Sequence, residues 1–167
     1  MLFEIFEVEC FDNKMLNRVL DKLVFLKQEY PDFLLWFRNK VRIGLENGSR
    51  KIFVACPSDD LNCIAGVLIL KNDGIEKKIS TLCVMEDYRA MGLGTEFVKF
   101  AMNILETNVP MITVANTHRD EFTPLLDAFG FELYAEYKDY YKAGISEYSY
   151  NGFLIADNKN EFYNIAI

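Results

Sequence analysis

Apolar residues along this chain recur at two spacings. Over residues 13–29, Leu16, Val19, Leu20, Leu23 and Phe25/Leu26 fall three and four apart, the stripe of an amphipathic helix. Tyr30-Pro31 breaks that run. Asp32 then stands where a side-chain cap would start a second helix carrying Leu34, Phe37, Val41 and Leu45, ended by Asn47-Gly48. Residues 2–9 alternate loosely, and 51–56, 63–71 and 78–84 are short apolar runs, so all four read as strands. Pro57-Ser58-Asp59-Asp60 and Asn72-Asp73-Gly74 supply turns between them. A helix is expected over Leu93–Leu105, closed by Asn108-Val109-Pro110, then a short strand, Met111–Ala115. A further helix over 120–129 ends at Gly130, and two aromatic strands, 131–140 and 147–155, finish the chain. The expected order is β-α-α-β-β-β-α-β-α-β-β, with no linker, repeat or low-complexity run. Residues 1–167 therefore read as one domain.

Composition narrows the class. Hydrophobic residues make up 51% and charged residues 26%, the balance of a globular domain. The net charge of −7 repels phosphate backbones, so no nucleic-acid partner is expected. Arg38, Lys40, Arg42, Arg50 and Lys51 are the one candidate basic patch, and ordinary solvated charges explain them more simply. Cys10, Cys56, Cys63 and Cys83 form no C-x-x-C pair, and with His118 the single histidine no metal site is expected. Free thiols fit a reducing, cytoplasmic setting. The acidic start lacks a basic leader region, and no apolar run approaches the roughly 20 residues of a membrane span.

The most informative stretch is Arg89-Ala90-Met91-Gly92-Leu93-Gly94, between the strand at 78–84 and the helix Leu93–Leu105. Two glycines there leave backbone N–H groups bare at a helix N-terminus, a natural anion site. The run lacks the lysine and spacing of a P-loop and the third glycine of a dinucleotide fingerprint. It resembles motif A of the GNAT N-acetyltransferases, Arg/Gln-x-x-Gly-x-Gly/Ala. The acidic lead-in Glu86-Asp87 before Tyr88-Arg89, and Phe129-Gly130-Phe131 entering a late strand, are also similar to that family. The element order matches too, so the resemblance covers nearly the whole chain. It implies an α/β (α+β) GNAT fold: a mixed, mostly antiparallel seven-stranded sheet with one parallel pair, formed by the 78–84 strand and Met111–Ala115.

The resemblance implies acetyl-CoA as cofactor, with its pantetheine arm in a gap between those two strands. Backbone groups of Leu82, Cys83 and Val84 would pair with the arm. The amides of Ala90, Met91, Gly92, Leu93, Gly94 and Thr95 would hold the pyrophosphate, with Arg89 adding charge or bracing the loop. A backbone N–H near Leu82–Cys83 would stabilise the developing oxyanion. Asn116 would hold the arm or cap a turn. The tyrosine that serves many relatives as general acid is replaced by Leu126, which leaves Tyr141 and Tyr148 as candidate acids. A base on the fourth strand would fall near Lys77-Lys78, with Glu76 one step out. His118 is read as an exposed loop residue, and Cys83 as a buried thiol, not a nucleophile.

The acceptor side is expected from Tyr30, Asp32, Phe33 and Trp36, facing Tyr137, Tyr140, Tyr141, Tyr148 and Tyr150. Strand packing accounts for most of those tyrosines. Asp32, Glu136, Asp139 and Glu147 would attract a cationic amine or simply form a solvated rim. The resemblance thus implies an N-acetyltransferase acting on a small-molecule or peptide amine by direct attack. The alternatives are a CoA-binding regulatory module without fast catalysis and a tRNA-acetylating toxin, which the acidic charge disfavours. An aromatic C-terminal hairpin would suit a homodimer.

Overall fold

The computed structural model describes residues 1–155, so the end of the expected domain, 156–167, lies outside the described residues. Seven strands form one sheet: β1 (Phe3–Val8), β2 (Arg50–Pro57), β3 (Gly66–Asn72), β4 (Lys77–Val84), β5 (Met111–Ala115), β6 (Leu133–Lys138) and β7 (Ser146–Tyr150). Their order in space is β1-β2-β3-β4-β5-β7-β6, antiparallel throughout except at β4–β5. Helices α1 (Asn13–Leu23), α2 (Phe33–Trp36), α3 (Arg42–Asn47), α4 (Leu93–Leu105) and α5 (Arg119–Ala128) cover the sheet.

Each face of the sheet has its own apolar layer. Leu16, Val19, Leu23, Phe33, Trp36 and Val41 pack with Ile52, Val54, Val67 and Ile69 on one side. Leu93, Phe97, Val98, Ala101, Phe122 and Leu126 pack with Phe53, Leu68, Ile79, Leu82, Ile112 and Val114 on the other. Strand neighbours such as Ile52/Phe53 and Val67/Leu68 split between the layers, as a period of two requires. Covering both faces explains why β2, β3 and β4 are near-continuous apolar runs. Each fully buried large side chain contributes roughly 1.5–3 kcal/mol.

Three local departures from expectation have physical causes. The first helix stops at Leu23, and the chain tightens into a 3-10 helix over Val24–Gln28. The second begins through the Asp32 backbone carbonyl, which accepts the Trp36 N–H at 2.9 Å, and the expected Asp32 side-chain cap is not made. A π turn, Phe37–Val41, then separates α2 from α3 and lets Trp36, Phe37 and Val41 all face inward. The C-terminal strands are shorter than expected, because Asp139 (φ 54) and Asn151 (φ 59) adopt left-handed conformations that end them. The side chain of Asp139 holds its turn by accepting the Gly144 N–H at 2.6 Å.

Candidate active site

The site begins where two strands part. β4 and β5 pair only at Lys78↔Met111 and Ile79↔Ile112, near their N-terminal ends. Beyond that point β4 carries a bulge: Ile69 faces Thr81 while Leu70 faces Ile79, leaving Ser80 extra. β4 stays paired with β3 as far as Gly66↔Val84, and the Met85 N–H reaches the Ala65 carbonyl at 2.9 Å. An antiparallel ladder alternates bonded and non-bonded pairs. Counting back from Met85, the Cys83 peptide groups face Val67 on β3. Those of Leu82 and Val84 face the parted edge and lack a strand to bond them. Of the three backbone positions expected at the gap, Cys83 is thus corrected: it serves the ladder.

The turn after β4 supplies the second part. Ala90 (φ 58) and Gly92 (φ 87) are left-handed, and Gly92 is the N-cap of α4. The Glu96 N–H bonds the Gly92 carbonyl at 3.1 Å, which leaves the N–H groups of Leu93, Gly94 and Thr95 as the open first turn of a 13-residue helix. A Cβ on Gly92 would meet nothing within 4 Å, so any side chain there would project into open space before those amides. At Gly94 a Cβ would lie 3.5 Å from Leu125, an ordinary packing contact, so α4 and α5 meet there.

A cavity of about 630 Å3 joins these parts. One wall is Leu82, Cys83, Val84, Tyr88, Arg89, Ala90, Gly92, Leu93, Gly94 and Thr95, and the other is Glu121, Phe122, Pro124, Leu125 and Ala128 of α5. Arg89 braces the loop: its guanidinium lies 3.4 Å from Glu121 and 3.4 Å from the Val84 carbonyl. Met91 is exposed and does not line the cavity. Asn116 does not line it either; its Oδ1 accepts the Ser146 N–H at 3.1 Å and ties the end of β5 to β7. The α5 wall was missed in the sequence. Its helix was legible, but its contact with the glycine turn is tertiary. Leu126 faces the sheet in the core, so no residue of α5 offers a hydroxyl to the cavity. The Cys83 thiol is buried, and that burial pushes it up to about 12.

On the opposite face of the sheet, beside α1–α3, lies a polar interior. Glu147, read from sequence as a charge that attracts a cationic amine or as part of a solvated rim, is only 1% exposed. The Tyr30 hydroxyl lies 3.3 Å from both its carboxylate oxygens, and Thr113 donates a further bond. Burial pushes the Glu147 carboxyl up to about 8. Lys78 is fully buried, and desolvation brings its amine down to about 7 against the pull of Glu76 and Glu147. Among the described residues, Lys78 Nζ, Thr81 Oγ1, Ser149 Oγ and Trp36 Nε1 are buried without a hydrogen-bond partner. Tyr30, Phe33 and Trp36, expected at an acceptor surface, are core residues with 0% exposure.

The candidate catalytic residues scatter. Glu76 sits before β4, roughly 20 Å along the strand from Leu82, and is ion-paired to Lys71 at 2.8 Å; it is no base for this cavity. Tyr148 lies on the α5 face with the Arg119 guanidinium 4.1 Å above its ring. Tyr141 lies on the α1–α3 face, packed edge-on to Tyr30 at 5.4 Å. The two tyrosines flank opposite sides of the sheet and cannot share one role. His118 is not an exposed loop residue. Its Nε2 is 2.8 Å from Glu29 and its Nδ1 3.5 Å from Glu121, and the Glu29 bond raises its pKa. The suspected basic patch is dispersed: Arg50 is buried beside Trp36 and bonds Ser80, while Lys51 pairs with Glu7. Of the cysteines, Cys56 and Cys83 are buried, Cys63 is half-buried against the Tyr88 hydroxyl, and Cys10 is exposed.

No protein-family model matches the chain, and no curated protein matches it significantly. Solved structures do match over nearly its full length. A chain of the NatC complex, solved with Gag peptide and CoA, superposes with a TM-score of 0.70 at 15% identity, covering 90% of this chain and 97% of its own. A Desulfovibrio desulfuricans protein described as a GNAT-family acetyltransferase gives 0.67 at 15% identity, covering 89% and 97%. An aminoglycoside 6'-N-acetyltransferase solved with coenzyme A gives 0.65 at 12% identity, covering 91% and 99%. The chain therefore has the GNAT fold, a mixed and mostly antiparallel seven-stranded sheet flanked by helices.

Proposed function

We propose that this chain is an acetyl-CoA-dependent N-acetyltransferase of a primary amine on a small molecule or peptide. One observation carries the reading: the cavity joins an unpaired strand edge to the bare N-terminus of α4. The residues fit the cofactor. The Leu93, Gly94 and Thr95 amides face the space where a pyrophosphate would sit, and the dipole of α4 favours negative charge there. The peptide groups of Leu82 and Val84 take the amides of an extended arm as an added strand would. Leu125, Phe122 and Pro124 form an apolar wall along the cavity. When bound, acetyl-CoA supplies an activated acetyl thioester. The neighbouring structures with CoA, an aminoglycoside 6'-N-acetyltransferase and the NatC complex with Gag peptide, support both the cofactor and the two substrate classes.

Tyr141 is carried forward as the proton donor to the leaving thiolate, because it packs against the same apolar layer as Cys83 and Ala115. Residues 1–167 are taken as one such domain in the cytoplasm. Exposed Leu133 and Tyr134 on the edge strand β6, with Phe153, form the face for a homodimer. No helix among the described residues is long and apolar enough to cross a membrane. One observation favours a second reading, a CoA-binding regulatory module: no residue of the α5 wall carries a hydroxyl, because Leu126 stands at the usual tyrosine position and faces the core.

Calorimetric titration with acetyl-CoA, followed by thiol release with an aminoglycoside, a linear polyamine and free-N-terminus peptides, tests the reading. Micromolar binding with amine-dependent thiol release is expected. Binding with silence across the panel selects the regulatory module. No binding at millimolar cofactor ends both.

A further inference from the structure

Glu147 is the polar residue of the α1–α3 face whose position the acyl-transfer reading leaves unexplained. It pairs across strands with Ala115, the last residue of β5. Extending the Ile79↔Ile112 register carries Ala115 to the level of Leu82, or of Cys83 once the Ser80 bulge is counted. Glu147 thus stands level with the parted edge, on the face shared by Cys83 and Ala115. Its surroundings hold a carboxylate in place. Tyr30 spans both oxygens, Thr113 bonds it from β5, and Lys78 lies close enough on β4 to act on its charge.

We infer that Glu147 is the proton acceptor of the reaction, taking a proton from the incoming ammonium on the α1–α3 side of the strand gap, with Tyr30 and Lys78 as its positioning residues. The inference rests on the acyl-transfer reading above. The balance is simple. The ammonium N–H bond breaks and an O–H bond forms on Glu147, leaving a neutral amine whose lone pair bonds the carbonyl carbon. The C–S bond would break, the thiolate would take the Tyr141 hydroxyl proton, and the second proton lost by nitrogen would replace it on Tyr141. Glu147 must then lose its proton before the next turnover. A buried carboxylate suits this work, because desolvation strengthens it as a base.

The charged and titratable groups around the pair define its pH behaviour. Glu147 faces Tyr30, Glu29 and Lys78, and Tyr141 couples to Tyr30. Lys78 faces Glu76, Glu147, Lys71 and Arg50. With Glu147 raised to about 8, turnover should climb through a limb near that pH. Tyr30 and Lys78 both favour the ionised carboxylate, so Tyr30→Phe and Lys78→Met should move the limb upward.

The test uses Glu147→Gln in the full chain. The probes are acetyl-CoA by calorimetry and the fastest amine of the panel across pH 6–10, roughly the span needed to separate this limb from the amine's own ionisation. Expected are unchanged acetyl-CoA affinity, turnover down roughly a hundredfold or more, and loss of the limb. Glu147→Asp, which keeps the carboxylate, should restore part of the rate. If Glu147→Gln fails to fold, the limb shifts of Tyr30→Phe and Lys78→Met carry the test. An active enzyme whose limb is unmoved in every folded variant overturns the role of Glu147 alone. A wild-type chain inert with every amine overturns the acyl-transfer reading, and this role with it.

Discussion

The two faces of the sheet are built by different means. The α4–α5 face sets main chain against apolar side chains: unpaired peptide groups of Leu82 and Val84 and bare amides of α4 on one wall, Phe122, Pro124 and Leu125 on the other. The α1–α3 face makes its polar interior from side chains far apart in the chain, Tyr30, Lys78, Thr113 and Glu147. A backbone site tolerates most substitutions and fails at the few positions where the main chain must be left-handed or bare. A side-chain site fails wherever one partner is removed, because the group left behind stays buried.

Gly92→Asp should break the first face most sharply. A side chain and a negative charge would enter the space before the amides, at a φ that non-glycine residues rarely adopt. Calorimetry should show acetyl-CoA affinity falling at least about a hundredfold, or roughly 3 kcal/mol, with circular dichroism unchanged. Retained affinity in a folded variant would remove the motif from the binding site.

Tyr141→Phe sharpens the second face. Turnover should fall about tenfold or more if its hydroxyl moves a proton, while acetyl-CoA affinity stays constant. Equal rates would leave Tyr141 as packing for Tyr30.

The buried pair predicts an unusual stability curve. Glu147, raised from 4.5 to about 8, keeps its proton in the folded state after the unfolded chain has lost it, so stability falls as pH rises between those values. Lys78, lowered from 10.5 to about 7, loses its proton in the folded state first, so stability rises between about 7 and 10.5. The two slopes oppose between pH 7 and 8, which leaves a trough there. The Lys78→Met/Glu147→Gln double variant should lack the trough and match or exceed wild-type stability at pH 7.5, by up to about 4 kcal/mol. A wild-type curve without a trough in urea titrations would contradict the burial of the pair.

The smallest effect concerns the tie between the faces. The Glu29 hydrogen bond raises the His118 pKa. Burial works to raise the Glu29 carboxyl, but the His118 bond and charge outweigh it, and its pKa is lowered. Stability from the histidine is fully present below its unfolded value of 6.5 and lost as pH rises through the higher folded value. Stability from Glu29 is present above its unfolded value of 4.5 and lost as pH falls through the lower folded one. His118→Ala should therefore cost about 1 kcal/mol near pH 5.5 and much less at pH 9. A pH-independent loss would mean the ring acts by packing alone.

Much of the fold was legible because periodicity reports burial directly. The bounds of α4 and β5 and the glycine turn follow from local spacing and the conformational demands of Gly92, while the parallel pair was expected only from the family resemblance. The same locality made the open helix N-terminus readable, since it and its glycines are contiguous in the chain. The polar interior of the α1–α3 face was not legible. Glu147, in an alternating aromatic strand, looks like a rim charge until β7 is placed beside β5 and Tyr30 is folded over it. Glu76 and His118 misled for the same reason, because their partners Lys71, Glu29 and Glu121 are chosen by tertiary contact. Sequence alone thus determined the elements, their order and the bare N-terminus of α4, all set by neighbours within a few residues. Only the tertiary structure decided which charges lie in water and which are buried, because desolvation depends on what the whole fold places around a side chain.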